Sequence, residues 1–541
     1  MTDAANTSVL IVGAGGAGLS LSLLLEQHGV SSILVERRVD VSWLPRARNL
    51  NFRTLEVFRG LGLEKEVLAA GTHVSRTVRK DSLAASGHQD FPSIEDILRV
   101  TDHPEALSPE PMFWYCPQSV TEPLLGAAAR ERGCDIRYGL ELVSFTQDSA
   151  GVTATVSDRA TGAQTVLRAD YLVAADGAHS HVREQLGVPV AGKGVLEEHY
   201  IFVYFRAPWA DVVRGYESDA VLIDRPGVRG FFLITDPDRG MFLIQQDFEQ
   251  EYTPEHCREL ILDGIGVPDL PVEVVEIAHW RPAQQVAERF RVGRVFLAGD
   301  AAHTMPPKLG MGVNTAIAGV HNLAWKLAAV LHKQAGDALL DTYEVERHPI
   351  AALISRQSLV GPAATLITGG EDDALLPAEE RVSMFSLIIG NRYRSRAVLS
   401  EPPAHPAPDG VELLNGPEDL TGVPGTRIPH GGLARNGESI SPLDLFDGQF
   451  VLLTGPEGAP WTNAAPEAAA ATGVRVAAYR LGPDADLRDP DGKWWAATGL
   501  PADGVLLARP DGIVAWRTDA LPADPTSVLT ATLTAILARD S

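Results

Sequence analysis

Three places in this 541-residue chain set glycines and an acid just after an apolar run. Near the start, Val9 to Val12 lead into Gly13-x-Gly15-x-x-Gly18, and a second run, Ile33 to Val35, finishes at Glu36. Midway, YLVAADGAHSHVREQLG sets Asp176-Gly177 after an apolar strand, with Ser180 and Arg183 on the next turn. Later, Val295-Phe296-Leu297-Ala298 leads into Gly299-Asp300 and a loop carrying Pro306, Pro307, Gly310 and Gly312. Glycines allow a tight turn and close approach of backbone to a pyrophosphate, and a carboxylate such as Glu36 can accept from ribose hydroxyls. A helix beginning near Gly312 would aim free N–H groups and a dipole at an anionic or electron-accepting ligand. Each unit alone could be an ordinary turn with a capping Asp. Their succession argues for dinucleotide binding.

These residues need strands to deliver them and helices to back them. The first stretch reads strand, glycine turn, Leu-rich helix, strand, acid, which is a βαβ unit. After Gly312 the apolar positions Ile317, Val320, Leu323, Ala324, Leu327 and Leu331 recur at three- and four-residue spacing, one face of a helix. Between Tyr200 and Glu276 the runs YIFVYF, AVLIDR, GFFLIT and MFLIQQDF, with turns at Arg225-Pro226-Gly227 and at 236–240, predict an antiparallel sheet. LLDTYEVER, 339–347, predicts an amphipathic helix. A proline-dense linker, 401–425, precedes two strands, a hairpin turning at Pro510-Asp511-Gly512 and a final helix, Thr526 to Leu537. That tail predicts a thioredoxin-like domain. Lacking any Cys after Cys257, it cannot do dithiol chemistry.

Composition narrows the function. A formal net charge of −24 argues against nucleic acid and against an anionic membrane surface. Cys116, Cys134 and Cys257 are widely spaced, form no metal-ligand pattern and suit a reducing cytoplasm. No signal peptide or membrane span is expected.

The three units in this order, with the element YCPQSVTEPLL around Gln118 and Glu122 and the segment Pro45-Arg46-Ala47, resemble the group-A FAD-dependent aromatic hydroxylases, the p-hydroxybenzoate hydroxylase-like flavoprotein monooxygenases. The tail sequence LLARPDGIVAWRTD brings the chain nearest to the aromatic polyketide hydroxylases within that family. The resemblance implies an α/β fold: a Rossmann-like FAD domain of glutathione-reductase type, an inserted antiparallel-sheet substrate domain and the thioredoxin-like tail. It divides the chain into FAD-binding parts at 1–71, 113–187 and 286–400, substrate-domain parts at 72–112 and 188–285, the linker 401–425 and the tail 426–541.

By the same resemblance, cofactor contacts fall on Gly13, Ala14, Gly15, Gly18, Glu36, Arg37, Arg46, Gln118, Leu142, Asp176, Gly177, Asp300, Pro307, Gly310, Gly312, Val313 and Asn314. Asp300 would bond the FAD ribitol, as would Gln118, and Arg46 would lie along the pyrophosphate. Arg48, where relatives often carry a small residue, and Arg53 read as solvated charge on a helix. Leu222, Phe231, Phe242 and Ile244 would give the sheet an apolar surface for a flat aromatic ring. Arg392 in IGNRYRS either meets an oxygen of the substrate or is a surface arginine. NADPH or NADH would reduce FAD, and molecular oxygen would form a C4a-hydroperoxyflavin that hydroxylates an aromatic, polycyclic polyketide. The chemistry is borne by the flavin, so no catalytic side chain is assigned, and His303 is taken as structural. A Baeyer–Villiger or epoxidising reaction and a non-oxygenating flavoprotein remain open alternatives. The halogenase W-x-W-x-I-P signature is absent. A homodimer is possible.

Overall fold

In the computed structural model the residues described are 5–41, 47–73, 76–91, 100–216, 220–244, 251–361, 375–400, 405–406 and 410–539. β1 (Ala5–Val12) carries apolar side chains on both faces, and Val9, Leu10 and Ile11 are fully buried, as a central parallel strand requires. α1 (Gly16–Gln27) crosses back to β2 (Ser32–Glu36). β3 (Thr77–Lys80) departs for a second sheet, and α2 (Gln118–Glu131), β4 (Asp135–Tyr138) and β5 (Gln164–Ala174) return to the first. The second sheet continues with β6 (Tyr200–Arg206), β7 (Ala220–Arg225), β8 (Val228–Asp236) and β9 (Arg239–Ile244), then α3 (Pro254–Ile265) and β10 (Glu273–Trp280). β11 (Val295–Leu297), α4 (Gly312–Leu331) and α5 (Asp341–Gln357) complete the FAD-type domain. Its parallel strands run β11-β5-β1-β2-β4, the order of a Rossmann-like sheet with the switch beside β1.

Several elements exceed their sequence limits. α5 runs through Pro349, whose missing N–H costs one bond, because Ile350, Leu353 and Ile354 beyond it are buried. The polar stretch 72–112 supplies β3, which pairs parallel to β7, and a short strand, Gln89–Asp90, at the sheet edge. The described part of the linker is packed down: Val411, Leu414 and Leu420 are buried, and Glu412–Leu413 pairs with Asn391–Arg392.

The second sheet, ordered β10-β6-β9-β8-β7-β3, has two unlike faces. Register across β7, β8 and β9 aligns Leu222, Phe231 and Leu243 on one face, and Val221, Phe232 and Phe242 on the other. The second face is closed by α3, where Cys257, Ile261 and Ile265 pack with Phe232, Phe242 and Ile244. Phe242 and Ile244 are therefore hydrophobic core. They cannot share a surface with Leu222 and Phe231, because side chains alternate along a strand and neighbours in register share a face.

The tail forms the sheet expected of a thioredoxin-like domain. β12 (Phe450–Thr454), α6 (Ala459–Thr472), β13 (Val476–Arg480), β14 (Val505–Ala508), β15 (Val514–Thr518) and α7 (Pro525–Ile536) give the order β13-β12-β14-β15. β12 runs parallel to β13 and antiparallel to β14, and α6 and α7 pack on one of the two apolar faces of the sheet. The turn between β14 and β15 reaches into the FAD-type domain. There Glu346 of α5 receives Arg509 at 2.6 and 3.0 Å, Lys326 of α4 at 2.8 Å and Asn322 at 2.6 Å. Arg509 also bonds Asp511 at 2.6 Å, and Glu346, Lys326 and Arg509 are shut off from solvent. Burial works to raise the Glu346 carboxyl, but Arg509 and Lys326 outweigh it and hold the group well below the usual carboxylate range. A second buried pair joins Arg427 of the tail to Glu56. Arg53 belongs to this junction rather than to a solvated helix face: it bonds Glu56 at 3.0 Å and the Asp511 carbonyl at 2.8 Å.

Candidate cofactor and substrate site

The three glycine–acid units meet because their strands end level. Val12 lies in register with both Val35 and Ala174, and Ala174 with Leu297. Gly13, Asp176 and Asp300 thus leave one carboxyl edge of the sheet together, the edge where open α/β sheets bind ligands. Contacts between the units are close. A Cβ on Gly13, whose φ is +106°, would stand 2.2 Å from the Ala175 carbonyl oxygen, and one on Gly18 would stand 1.9 Å from that of Gly13. Arg183 ties the second unit to the third by donating to the Ala301 carbonyl at 2.9 Å and to that of Ala178 at 2.9 Å. Gly299 sits against Ala17 of α1 and Ala316 of α4.

Two helix N-termini converge here. A Cβ on Gly16 would be 3.3 Å from Val313, so the first turns of α1 and α4 touch. The leading N–H groups of a helix lack intrahelical partners, and two such ends together favour negative charge on whatever lies before them. Glu36 orders the glycine loop: its two carboxylate oxygens accept from the Ala14 and Arg38 N–H groups, both at 2.8 Å. Asp176 accepts from the Val182 N–H at 3.1 Å, but its Oδ1 is buried without a partner. Burial raises its carboxyl above the usual range despite hydrogen bonds from Ser180 and Val182. Glycine loops without room for side chains, paired helix ends and an orphaned carboxylate oxygen fit a bound dinucleotide with an electron-accepting ring.

Other expected residues are placed as follows. Gln118 bonds Ala47 by its backbone N–H at 2.6 Å and Glu122 by its side chain at 2.6 Å. Glu122 is buried beside Gly15, its carboxyl raised by burial. Arg46 lies outside the described residues. Arg37 is exposed after β2, and Gly177 follows Asp176 with φ of +90°. Leu142 is buried within the main hydrophobic core, so the contact expected of it goes to protein. Asp300 and Pro307 are exposed, and Gly312 and Val313 half-buried, as an open cleft requires. Gly310 turns the loop with φ of +64°.

The side chain of Asn314 is fully employed: its oxygen accepts from the Asn51 N–H at 2.9 Å and Thr54 at 2.7 Å, and its nitrogen donates to the Asn49 and Gly310 carbonyls. Only its backbone is left for a ligand. Arg392 is not at the sheet. Its Nε donates to the Pro424 carbonyl at 2.8 Å and lies 3.9 Å from Glu412, which fastens the linker. His303 is buried, and desolvation with the nearby Arg347 pushes its pKa down to about 3.

The sequence reading passed over Lys308. Its side chain, 2% exposed, bonds Glu198 at 2.7 Å and the Leu359 carbonyl at 3.0 Å. Glu198 lies just before β6, so this pair locks the Pro307–Leu309 turn to the base of the second sheet. The face not covered by α3 carries Tyr204, Leu222, Phe231, Leu233 and Met241, with Phe202 and Leu243 beside them. A buried lysine in a Pro/Gly loop was the available signal, but its partner is 110 residues away.

Comparison with known proteins places this geometry. The FAD binding domain family matches residues 6–358, and the family described as aromatic-ring hydroxylase, C-terminal, matches 421–539. Tetracenomycin A2 monooxygenase-dioxygenase of Streptomyces glaucescens is 39% identical, over 98% of this chain and 97% of that protein. The 4-methyl-5-nitrocatechol 5-monooxygenase of a Burkholderia species is 37% identical over 93% and 92%. Aklavinone-11 hydroxylase, solved with FAD and aklavinone, superposes with a TM-score of 0.87 at 38% identity, covering all of both chains. The flavin-dependent monooxygenase PieE, solved with FAD and substrate, gives 0.82 at 31% identity over 98% and 99%.

Proposed function

Given that this chain belongs to the FAD-dependent aromatic-ring hydroxylases, we propose that it is the monooxygenase of a polycyclic aromatic polyketide, consuming NAD(P)H and molecular oxygen and inserting one oxygen atom into a ring. FAD, when bound, supplies the electron relay and the oxygen activation. The protein must hold it, place the substrate and keep water away.

The observation that carries the reading is the apolar face of the second sheet that α3 leaves to other partners. It holds Phe202, Tyr204, Phe231 and Met241 in an apolar cluster of its own, while the opposite face is closed by α3. A broad aromatic and aliphatic floor suits a flat fused-ring ligand. The Lys308–Glu198 pair fixes that floor relative to the Pro307–Gly310 turn and the α4 N-terminus. The converging helix ends stabilise negative charge as the bound cofactor takes up electrons. No side chain is needed as an essential base, and His303, buried and neutral, stays structural.

The test is NAD(P)H oxidation and oxygen uptake by the holoenzyme, with and without fused-ring phenols and with monocyclic nitrocatechols. Oxidation should be slow alone and strongly accelerated by fused-ring phenols, with a product one oxygen atom heavier and its ring size unchanged. Equal rates across the panel would overturn the substrate reading, and an expanded or epoxidised ring would overturn hydroxylation. A Gly312→Val variant sharpens the result. A Cβ there meets no protein atom nearer than Met305 at 4.0 Å, so the fold has room for the new side chain. A larger share of reducing equivalents lost as peroxide would then locate the bound ring beside α4.

A further inference from the structure

Where the tail meets the FAD-type domain there is a cavity of about 30 Å³, walled by α4, α5, the Asn391–Tyr393 segment and the β14–β15 turn. Arg53, Arg347, Arg427, Asp511 and His321 line it. Most of the charges around it are matched. Arg509 and Lys326 answer Glu346 and Asp511, and Glu56 is shared by Arg427 and Arg53. Arg347 is different. It is 5% exposed, and among the described residues no carboxylate pairs with it. Its side-chain bonds go to the Tyr393 hydroxyl at 2.7 Å and the Thr315 carbonyl at 3.3 Å, both neutral acceptors. Its Nε is buried and reaches no acceptor at all.

A buried guanidinium without a counter-charge, and with an unmade bond, is costly. With Arg53 and Arg427 sharing a single Glu56, the cavity wall carries more positive than negative charge. Among the described lining residues the one carboxylate, Asp511, is taken up by Arg509 and Asn322, and a cavity of this size holds one small ion or a pair of waters. Water would satisfy the Nε bond but leave the charge unanswered. A monovalent anion does both.

We propose that this cavity is a chloride site, in which the ion serves as counter-charge to Arg347 and helps fasten the tail to α4 and α5. It is independent of the flavin cleft and of the substrate assignment.

Bromide replaces chloride in such a site and scatters anomalously. Crystals of the holoenzyme grown or soaked in bromide should show an anomalous peak in this cavity against Arg347, and a cavity holding only water would overturn the proposal. In solution, at fixed ionic strength, chloride or bromide should raise the melting temperature of the holoenzyme above its value in gluconate, an anion too large to enter. Arg347→Gln should abolish that chloride-specific rise. A rise of the same size in Arg347→Gln would overturn the assignment of Arg347. If that variant does not fold, the bromide diffraction on the parent protein decides.

Discussion

The flavin cleft, at the N-terminus of α4, and the tail junction, along the middle of that helix, are both polar and are built in opposite ways. In the cleft, polarity comes from backbone: helix N-termini, glycine loops and a carboxylate, Asp176, with an oxygen left unpaired. At the junction it comes from long charged side chains that answer one another, with Glu346 receiving two cations and an amide. Unmade bonds at a site where backbone comes close signal that a ligand completes it. Completed bonds in a dry interface signal that structure is their purpose. Arg347 is the junction residue that follows the pattern of the cleft, which is why it points to an ion.

That contrast can be broken most severely at Arg509. Arg509→Met leaves Glu346 buried with Lys326 alone, and losing one partner of a buried network costs about 3–5 kcal/mol. Denaturant unfolding of the holoenzyme should show this loss while the fraction still folded keeps its FAD. Replacing Arg509, Glu346, Lys326 and Asp511 together by apolar residues of similar volume should recover most of the stability, because no member of the buried network is then left without its partner. A single-variant loss below about 1 kcal/mol would mean the junction is not dry.

A similar loss sharpens the contrast between the sheet's faces. Phe242→Ala, on the closed face, should cost about 3–5 kcal/mol of stability. Phe231→Ala, on the face that α3 does not close, should cost less and chiefly raise KM for the aromatic substrate. Equal stability losses would show that both faces are core.

A smaller effect is expected in the cleft. Asp300→Ala should weaken FAD binding by about 1.5–3 kcal/mol, the worth of a hydrogen bond to a charged group. Fluorescence titration of apoprotein with FAD measures it, and unchanged apoprotein melting separates binding from folding.

The gentlest probe is pH. His303 stays neutral in the fold, with its pKa down at about 3, while the unfolded chain takes up that proton near 6.5. Between those values the unfolded state holds more protons, so stability falls as pH falls, by up to about 1.4 kcal/mol per unit from this group. Above pH 6.5 the contribution is fully present. His303→Asn should make the acid limb of a stability–pH curve shallower, with His28, His321 and His430, whose pKa values burial also lowers, supplying part of the remaining slope, and an unchanged limb would remove His303 from the account.

Much of the cleft was legible in sequence because its determinants are local. Gly13, Gly15 and Gly18 encode their turn within six residues, and the strands before Asp176 and Asp300 announce themselves by apolar runs. Even so, local pattern misled where the partner was remote. Arg53 read as solvated charge on a helix, yet its bonds include the Asp511 carbonyl, 458 residues away. Arg392 read as either a substrate contact or a surface arginine, but it is buried and closes the linker through Pro424 and Glu412.

By itself, then, the sequence determined the three glycine–acid turns and, through its resemblance to a family, the kind of cofactor, since backbone geometry at glycine and strand period are set by near neighbours. Tertiary structure alone decided which face of the second sheet α3 closes, because alternation divides a strand's residues into two sets without saying which one a helix will cover. It also decided that Lys308 meets Glu198, and that Arg509 meets Glu346. Those pairs join residues 110 and 163 positions apart, so their chemistry exists only once the domains have packed and excluded water.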